Sequence, residues 1–271
     1  MTVSGRWRLG VLLALSTAAM WGVLPIALKG VMTTLDPLTT TFFRYSLAAV
    51  LITPYLLVRN RLPNRAKFRS PKLALQLLVA GSLLAANYGL YILGLQRTTA
   101  EAAQVMIQIA PMLLLLAGLW IFKESFSRAQ WLGFMSFASG LMLFFNHHLG
   151  DIFGSLSSYG IGLLCILMAA VCWTGYAIMQ KFLLRDFNSE ETMLVFYWIG
   201  ALVFLPLSNF SLLAELSAVQ WGLLAFCGLN TLIAYGCFAE AMVHMEASRV
   251  SAIIALTPLL TVAIVQLIPI P

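Results

Sequence analysis

Apolar residues fill this chain in runs of about twenty, and short polar segments separate each run from the next. The separating segments include Asp36-Pro37, the basic stretch from Arg59 to Lys72, and Lys123-Glu124-Ser125. Runs of this length, without the alternation typical of barrel strands, predict membrane-spanning α-helices. The predicted helices cover residues 9–28, 37–58, 73–95, 102–122, 129–146, 159–180, 191–208, 218–242 and 248–268.

Composition favours the same fold class. Of the 271 residues, 61% are hydrophobic and 10% are charged, and the mean hydropathy is +0.92. No water-soluble domain needs so much apolar surface. We therefore expect an all-α integral membrane protein with nine transmembrane helices, no soluble domain, and the lipid bilayer as its surroundings.

The positive charges lie mostly at one side of the predicted bundle. If the N-terminus is cytoplasmic, thirteen lysines and arginines fall on the inner side, whereas only Lys29 and Arg97 fall outside. Inner loops of membrane proteins are enriched in these residues. The sequence thus predicts a multi-pass protein of the plasma membrane, or the inner membrane of a bacterium, with a cytoplasmic N-terminus. The net charge of +6 reflects this topology, so no nucleic-acid partner is expected.

Distinctive residues recur at two fixed displacements. The recurring pairs are Trp21/Trp173 and Lys29/Lys181, 152 positions apart, and Tyr88/Tyr235, Gly89/Gly236 and Pro111/Pro258, 147 positions apart. Five predicted helices lie between the starts of the two copies, so the copies enter the membrane from opposite sides. We expect one five-helix repeat in residues 1–150 and a second, inverted repeat in residues 151–271. The counterpart of Glu124 would be position 271, so we expect the second copy to lack its last helix.

Several short motifs follow one another in a characteristic order. They are Ala18-Ala19-Met20-Trp21-Gly22 with Pro25 and Lys29, then Arg44, Asn87-Tyr88-Gly89-Leu90, Ala110-Pro111, Lys123-Glu124 and Trp131-Leu132-Gly133. On these motifs, essentially the whole chain resembles the drug/metabolite transporter (DMT) superfamily, specifically its EamA-like permeases. The resemblance implies ten helices in two inverted five-helix halves. We expect this chain to depart from that pattern by lacking the last helix, and it has Phe196 where the repeat would place a second Arg44.

A transporter needs a polar patch inside an apolar frame, where a solute can take the place of water. Gln104 and Gln108 share one helix face directly before Pro111, which frees a carbonyl one turn earlier and bends the helix. Polar or aromatic residues of other spans fit the same role, although packing, interfacial anchoring and bonding between helices are alternative uses. The candidate solute-binding residues are Trp21, Asn87, Tyr88, Tyr91, Gln104, Gln108, Pro111, Trp173, Tyr176, Asn230, Tyr235, Thr257 and Pro258.

Four ionisable residues within the predicted helices are candidates for gating or coupling. Lys29 and Lys181 either extend to lipid headgroups or form a gate that attracts anionic groups. Arg44 faces protein, water or the outer interface, with Asp36 as a conceivable partner. Glu240 either carries a coupled proton or has a structural role.

The leading hypothesis is a secondary transporter that exports or equilibrates a small organic metabolite, such as an amino acid or a related amphipathic compound, by alternating access. Its partner is then a small-molecule solute. We expect no catalytic residue, cofactor or metal. The sequence is compatible with either a monomer or a homodimer. One alternative is a truncated or regulatory membrane fragment without transport activity. The other is a membrane-embedded enzyme, although the chain has no His-Glu-x-x-His or Gly-x-Ser-x-Gly motif.

Overall fold

The computed structural model describes residues 4–64, 66–145 and 157–267, and these ranges form helices joined by turns. The first half of the chain contains α1 (Trp7–Val31), α2 (Pro37–Val58), α3 (Pro71–Arg97), α4 (Ala100–Met106), α5 (Ile109–Trp120) and α6 (Arg128–Phe145). The second half contains α7 (Ser158–Leu183), α8 (Ser189–Phe204), α9 (Ala218–His244), α10 (Ala247–Ile254) and α11 (Thr257–Leu267). Short 3-10 turns cover Lys67–Arg69, Leu205–Leu207 and Phe210–Glu215.

The helices follow the predicted membrane spans closely. Within the described ranges, eight stretches are long and apolar enough to cross a membrane, and the apolar helix α6 is a shorter ninth. Exposed side chains of α6 are themselves apolar, such as Leu132 and Met142, so this helix fits a position against lipid. The prediction of an all-α membrane protein is confirmed.

Polar residues begin corresponding helices of the two halves at the same displacements as the sequence repeat. Asp36 and Asn188, 152 positions apart, precede α2 and α8, and Ser70 and Ser217, 147 positions apart, precede α3 and α9. The Asp36 carboxylate accepts hydrogen bonds from two amide groups in the first turn of α2, at 3.0 and 2.9 Å. Such caps satisfy N–H groups that have no partner within the helix.

Two of the predicted spans are broken rather than continuous. The helix over 100–120 is interrupted between α4 and α5, just before Pro111, and the helix over 247–267 is interrupted between α10 and α11, just before Pro258. Proline has no N–H to donate to the carbonyl four residues earlier. The Ile107 carbonyl instead accepts a bond from the amide of residue 110 at 2.9 Å. The Ile254 carbonyl accepts the Thr257 hydroxyl at 2.5 Å.

The most extensive packing joins the two halves. α3 packs mainly on α7, and α1 packs mainly on α9, so exchanging the halves turns one pairing into the other. Gly94 on α3 faces Gly162 on α7, where a Cβ atom at Gly94 would lie 2.7 Å from the Gly162 carbonyl oxygen. Small residues of this kind let two membrane helices approach closely. The expected boundary between residues 150 and 151 lies outside the described residues, and the division into two domains stays a prediction.

Candidate functional site

A cavity lies at the centre of the bundle, between the two halves and beside the helix breaks. Its volume is about 70 Å³, counted as the space open to the centre of a water molecule. One water needs about 10–15 Å³ on this measure, so the cavity as it stands holds a few waters. Its wall consists of Trp21, Leu24, Arg44, Asn87, Tyr88, Tyr91, Gln104, Ile107, Gln108, Ala110, Pro111, Trp173, Tyr235 and Ile254.

The structure brings nine of the thirteen candidate solute-binding residues together in this wall. They are Trp21, Asn87, Tyr88, Tyr91, Gln104, Gln108, Pro111, Trp173 and Tyr235. Some of them also form hydrogen bonds with one another or with the backbone of a neighbouring helix. The Tyr91 hydroxyl donates to Gln104 Oε1 at 3.3 Å, and Asn87 Nδ2 donates to a carbonyl oxygen of α7 at 2.9 Å. These bonds fix side chains that would otherwise move freely in the cavity.

Aromatic rings from the two halves meet at the cavity, and residues that the repeat relates are in contact. The Trp21 and Trp173 ring centroids are 5.9 Å apart with edge-to-face geometry, and those of Tyr88 and Tyr235 are 5.4 Å apart. The ring centroids of Trp21 and Tyr235 are 4.9 Å apart. Edge-on and tilted arrangements are the favoured geometries of aromatic pairs. The rings therefore form a continuous apolar surface that spans both halves.

Arg44 is the one cationic residue in the cavity wall, and it is 2% exposed. Its Nε donates to Thr231 Oγ1 at 3.2 Å, and its guanidinium carbon lies 4.3 Å from the centre of the Tyr88 ring. Asp36, the conceivable partner, instead caps α2. Among the described residues, no carboxylate lies within 4.0 Å of Arg44. Arg44 thus faces protein and cavity rather than the outer interface.

Four candidate residues lie outside the cavity wall. Tyr176 is fully buried, with its ring centroid 6.1 Å from that of Tyr235. Asn230 Nδ2 donates to a carbonyl oxygen of α1 at 2.6 Å, which is a bond between helices. The Thr257 hydroxyl donates to the Ile254 carbonyl oxygen at the end of α10, and Pro258 lines a second groove beside α6. For these four residues, contact with a solute stays a prediction.

Sequence reasoning missed Thr231, which holds the polar part of the wall together. Its hydroxyl accepts from Arg44 Nε and from the Tyr88 hydroxyl, the latter at 3.3 Å, and donates to a carbonyl of α9 at 3.0 Å. One signal was available, because Thr231 lies four residues before Tyr235 and so shares its helix face. The apolar wall residues, such as Ile107 and Ile254, carry no signal of this kind.

Lys29 and Lys181 make equivalent contacts at opposite ends of the bundle. Lys29 Nζ donates to the Thr98 carbonyl oxygen at 2.5 Å, and Lys181 Nζ donates to those of Met242 and Met245 at 2.5 and 2.9 Å. Thr98 and Met245 are 147 positions apart, as in the repeat. A lysine at a helix C-terminus stabilises carbonyls that lack a helical partner. Lys181 is 4% exposed, so it does not extend towards lipid headgroups.

Glu124 joins the two halves near the start of α1. Its carboxylate accepts hydrogen bonds from the amides of Ala247 at 2.9 Å and Ser248 at 3.0 Å, in the first turn of α10. Gly118 leaves room for this contact, since a Cβ atom there would lie 2.6 Å from Glu124 Oε2. A negative charge is favourable at a helix N-terminus. This contact closes one end of the interface between the halves.

Glu240, the candidate for proton coupling, lies away from the cavity wall. Its carboxylate accepts a hydrogen bond from the Ser189 hydroxyl and lies 3.3 Å from His244 Nε2. The Glu240 side chain is 41% exposed. Within the described ranges, no three His, Cys, Asp or Glu side chains are placed to hold a metal ion together.

The family of this chain follows from its match to a family model. The model of the EamA-like transporter family matches residues 8–146 and again residues 160–268. The chain belongs to the EamA-like transporter family. The resemblance read from the sequence motifs is therefore confirmed, and membership of this family points to a membrane transporter rather than an enzyme.

Bacterial relatives of this EamA-like chain are named as transporters. It is 40% identical over 253 residues to the uncharacterized inner membrane transporter YhbE of Escherichia coli K12, covering 93% of this chain and 79% of that protein. It is 36% identical to an uncharacterized transporter of Haemophilus influenzae, covering 94% and 82%. The pseudopaline exporter CntI of Pseudomonas aeruginosa is 25% identical, with 89% and 81% covered.

Solved structures with a similar fold include a crystal structure of a protein. Its TM-score against this EamA-like chain is 0.72 at 17% sequence identity, and the match covers 95% of this chain and 87% of the other. At this identity, the likeness concerns the fold alone.

We expect Glu124→Gln to destabilise the protein. The substitution keeps the size of the side chain but removes the charge at the start of α10, a loss of about 1 kcal/mol. The melting temperature in detergent should fall by about 2–4 °C. The matched control is Glu215→Gln, since Glu215 is exposed in a 3-10 turn. Equal melting temperatures for the two variants would show that the Glu124 contact contributes nothing.

Proposed function

We propose that this protein is a secondary transporter that moves a small organic metabolite across the membrane by alternating access. The solute is an amino acid or a related amphipathic compound, which the protein exports or equilibrates. One observation carries the proposal, namely a polar and aromatic cavity at mid-bundle where two discontinuous helices break. Broken helices at the interface of two repeats are where secondary transporters place their solute sites.

The contacts between the halves differ at the two ends of the bundle, which supports alternating access. Near the start of α1, charged side chains join the halves. The Glu124 carboxylate accepts hydrogen bonds from the first turn of α10, and Lys67 Nζ lies 2.9 Å from Glu191 Oε2. Near the end of α1, the described contacts between the halves are neutral, as between Gln220 and Thr33 at 2.9 Å.

This arrangement fits a conformation that is closed at the start of α1 and ready to open at the other end. We place the start of α1 in the cytoplasm, because lysines and arginines are concentrated on that side. The named inner membrane transporter among the relatives supports the plasma membrane, or the inner membrane of a bacterium, as the location. The relative named as an exporter supports outward transport.

The cavity should respond to a bound solute. We expect at least one compound of a metabolite library to raise the melting temperature of the purified protein in detergent. Gln108→Ala and Tyr88→Ala should weaken that effect by about 2- to 10-fold in apparent affinity, because each removes a polar contact in the wall. The matched controls are Gln96→Ala and Tyr55→Ala, which change exposed residues outside the cavity.

Flux into proteoliposomes loaded with the stabilising compound then tests transport itself. Counterflow should be present for the wild type and both controls and reduced for both cavity variants. A compound that acts equally on all five proteins would place the solute site elsewhere.

The proposed orientation makes a separate prediction. In a variant without its native cysteines, a membrane-impermeant thiol reagent added to intact cells should label Ser211→Cys and leave Asn64→Cys unlabelled. Both positions are exposed, in segments at opposite ends of the bundle. The reverse pattern would mean that the N-terminus is outside.

A further inference from the structure

Arg44 is a buried positive charge whose neighbours carry no negative charge. It is 2% exposed, it donates a hydrogen bond to the Thr231 hydroxyl, and its guanidinium lies over the Tyr88 ring. A buried charge without an opposite charge is costly, and within a membrane such residues generally mark the path of a solute or an ion. The cavity that Arg44 lines is the space in which a negative charge could reach it.

A second donor in the same wall also lacks a partner. Trp21 Nε1 is buried and has no hydrogen-bond partner, although indole N–H groups are usually bonded when they are buried. Trp21 and Arg44 line the same small cavity. A carboxylate has two oxygens and about four lone-pair sites, which suits this pair of donors.

The cavity wall contains one positive charge, so it favours a solute with one negative charge. The repeat would place a second arginine at Phe196, which instead packs its ring 5.8 Å from that of Tyr176. Lys29 and Lys181, the other two candidate cations, donate to backbone carbonyl oxygens and are not in the cavity wall. The cavity therefore offers one guanidinium in a wall of rings, which compensates a carboxylate but leaves a phosphate dianion with excess charge.

We infer that the solute carries a carboxylate, which binds Arg44, and an apolar part, which lies against the rings of Trp21 and Tyr235. This inference rests on the proposed transport function and names the class of its solute. The bound carboxylate supplies the negative charge that the neighbours of Arg44 lack. Arg44 is then a specificity-determining residue of the transport site.

The test compares acids with uncharged analogues of the same shape. The probes are propionate, 4-methylpentanoate and 3-phenylpropionate, each measured against its primary amide, with phenyl phosphate as a dianion. The readout is the melting temperature of the purified full chain in detergent over a series of probe concentrations. We expect at least one acid to raise the melting temperature and its amide to have no effect at the same concentration.

Variants of Arg44 connect the effect to this residue. Arg44→Gln should weaken binding of the acid roughly 10- to 100-fold, as expected for the loss of a charged hydrogen bond. Arg44→Lys should lie between Arg44→Gln and the wild type, since it keeps the charge but loses the planar fork. Arg97→Gln is the matched control, because Arg97 is exposed at the end of α3.

The melting temperature without probe separates binding from a structural role. If Arg44 serves binding, Arg44→Gln should melt at the same temperature as the wild type or higher, since an uncompensated buried charge is removed. A marked fall would mean that Arg44 stabilises the fold, and this would contradict the inference.

Three further results would overturn the carboxylate inference. These are equal effects of acid and amide, an undiminished acid effect in Arg44→Gln, and a lack of effect of every acid on the wild type. A stronger effect of phenyl phosphate would mean that the site takes a dianion instead. If neutral or cationic metabolites of the wider library act while the acids do not, the carboxylate inference fails and the transport proposal stands. If no metabolite acts, the transport site itself is misplaced.

Discussion

Inside a bilayer, a backbone N–H or C=O that loses its helical partner has no water to bond with, and this constraint decides where the cavity lies. Pro111 and Pro258 each remove one N–H from a membrane span. The freed carbonyls, those of Ile107 and Ile254, find partners in a local amide and in the Thr257 hydroxyl, and both residues line the cavity. Irregular backbone at membrane depth is tolerated where it is buried or lines a cavity.

The length of the apolar runs was enough to predict the helices, because it encodes the thickness of the membrane. α2 occupies the predicted residues 37–58, and most other helix ends lie within three residues of the prediction. The lengths of the apolar runs do not indicate which face of each helix points to the cavity. Tyr88 and Tyr176 are both aromatic residues within a span, yet Tyr88 lines the cavity and Tyr176 lies behind it. Packing across the two halves sets that rotation, and a single sequence does not display it.

Residues that recur in both halves form the apolar part of the cavity wall, whereas its charged residue occurs in one half only. Trp21 meets Trp173 and Tyr88 meets Tyr235, so the paired rings build an apolar surface from both halves. Arg44 has no such counterpart, and Thr231 holds it from the opposite half. A cavity with one charge can orient a solute, whereas a symmetric pair of charges would bind it in two directions.

The reactivity of a cysteine in the α4–α5 break tests most directly whether the helix breaks line a water-filled cavity. In a variant without native cysteines, Ile107→Cys should react with a small charged thiol reagent, because only a hydrated thiol forms the reactive thiolate. Val171→Cys should stay unreactive, although Val171 is 49% exposed, because its exposed face on α7 should meet lipid. If Ile107→Cys does not react from either side of the membrane while Val171→Cys does, the cavity is dry and the account is contradicted.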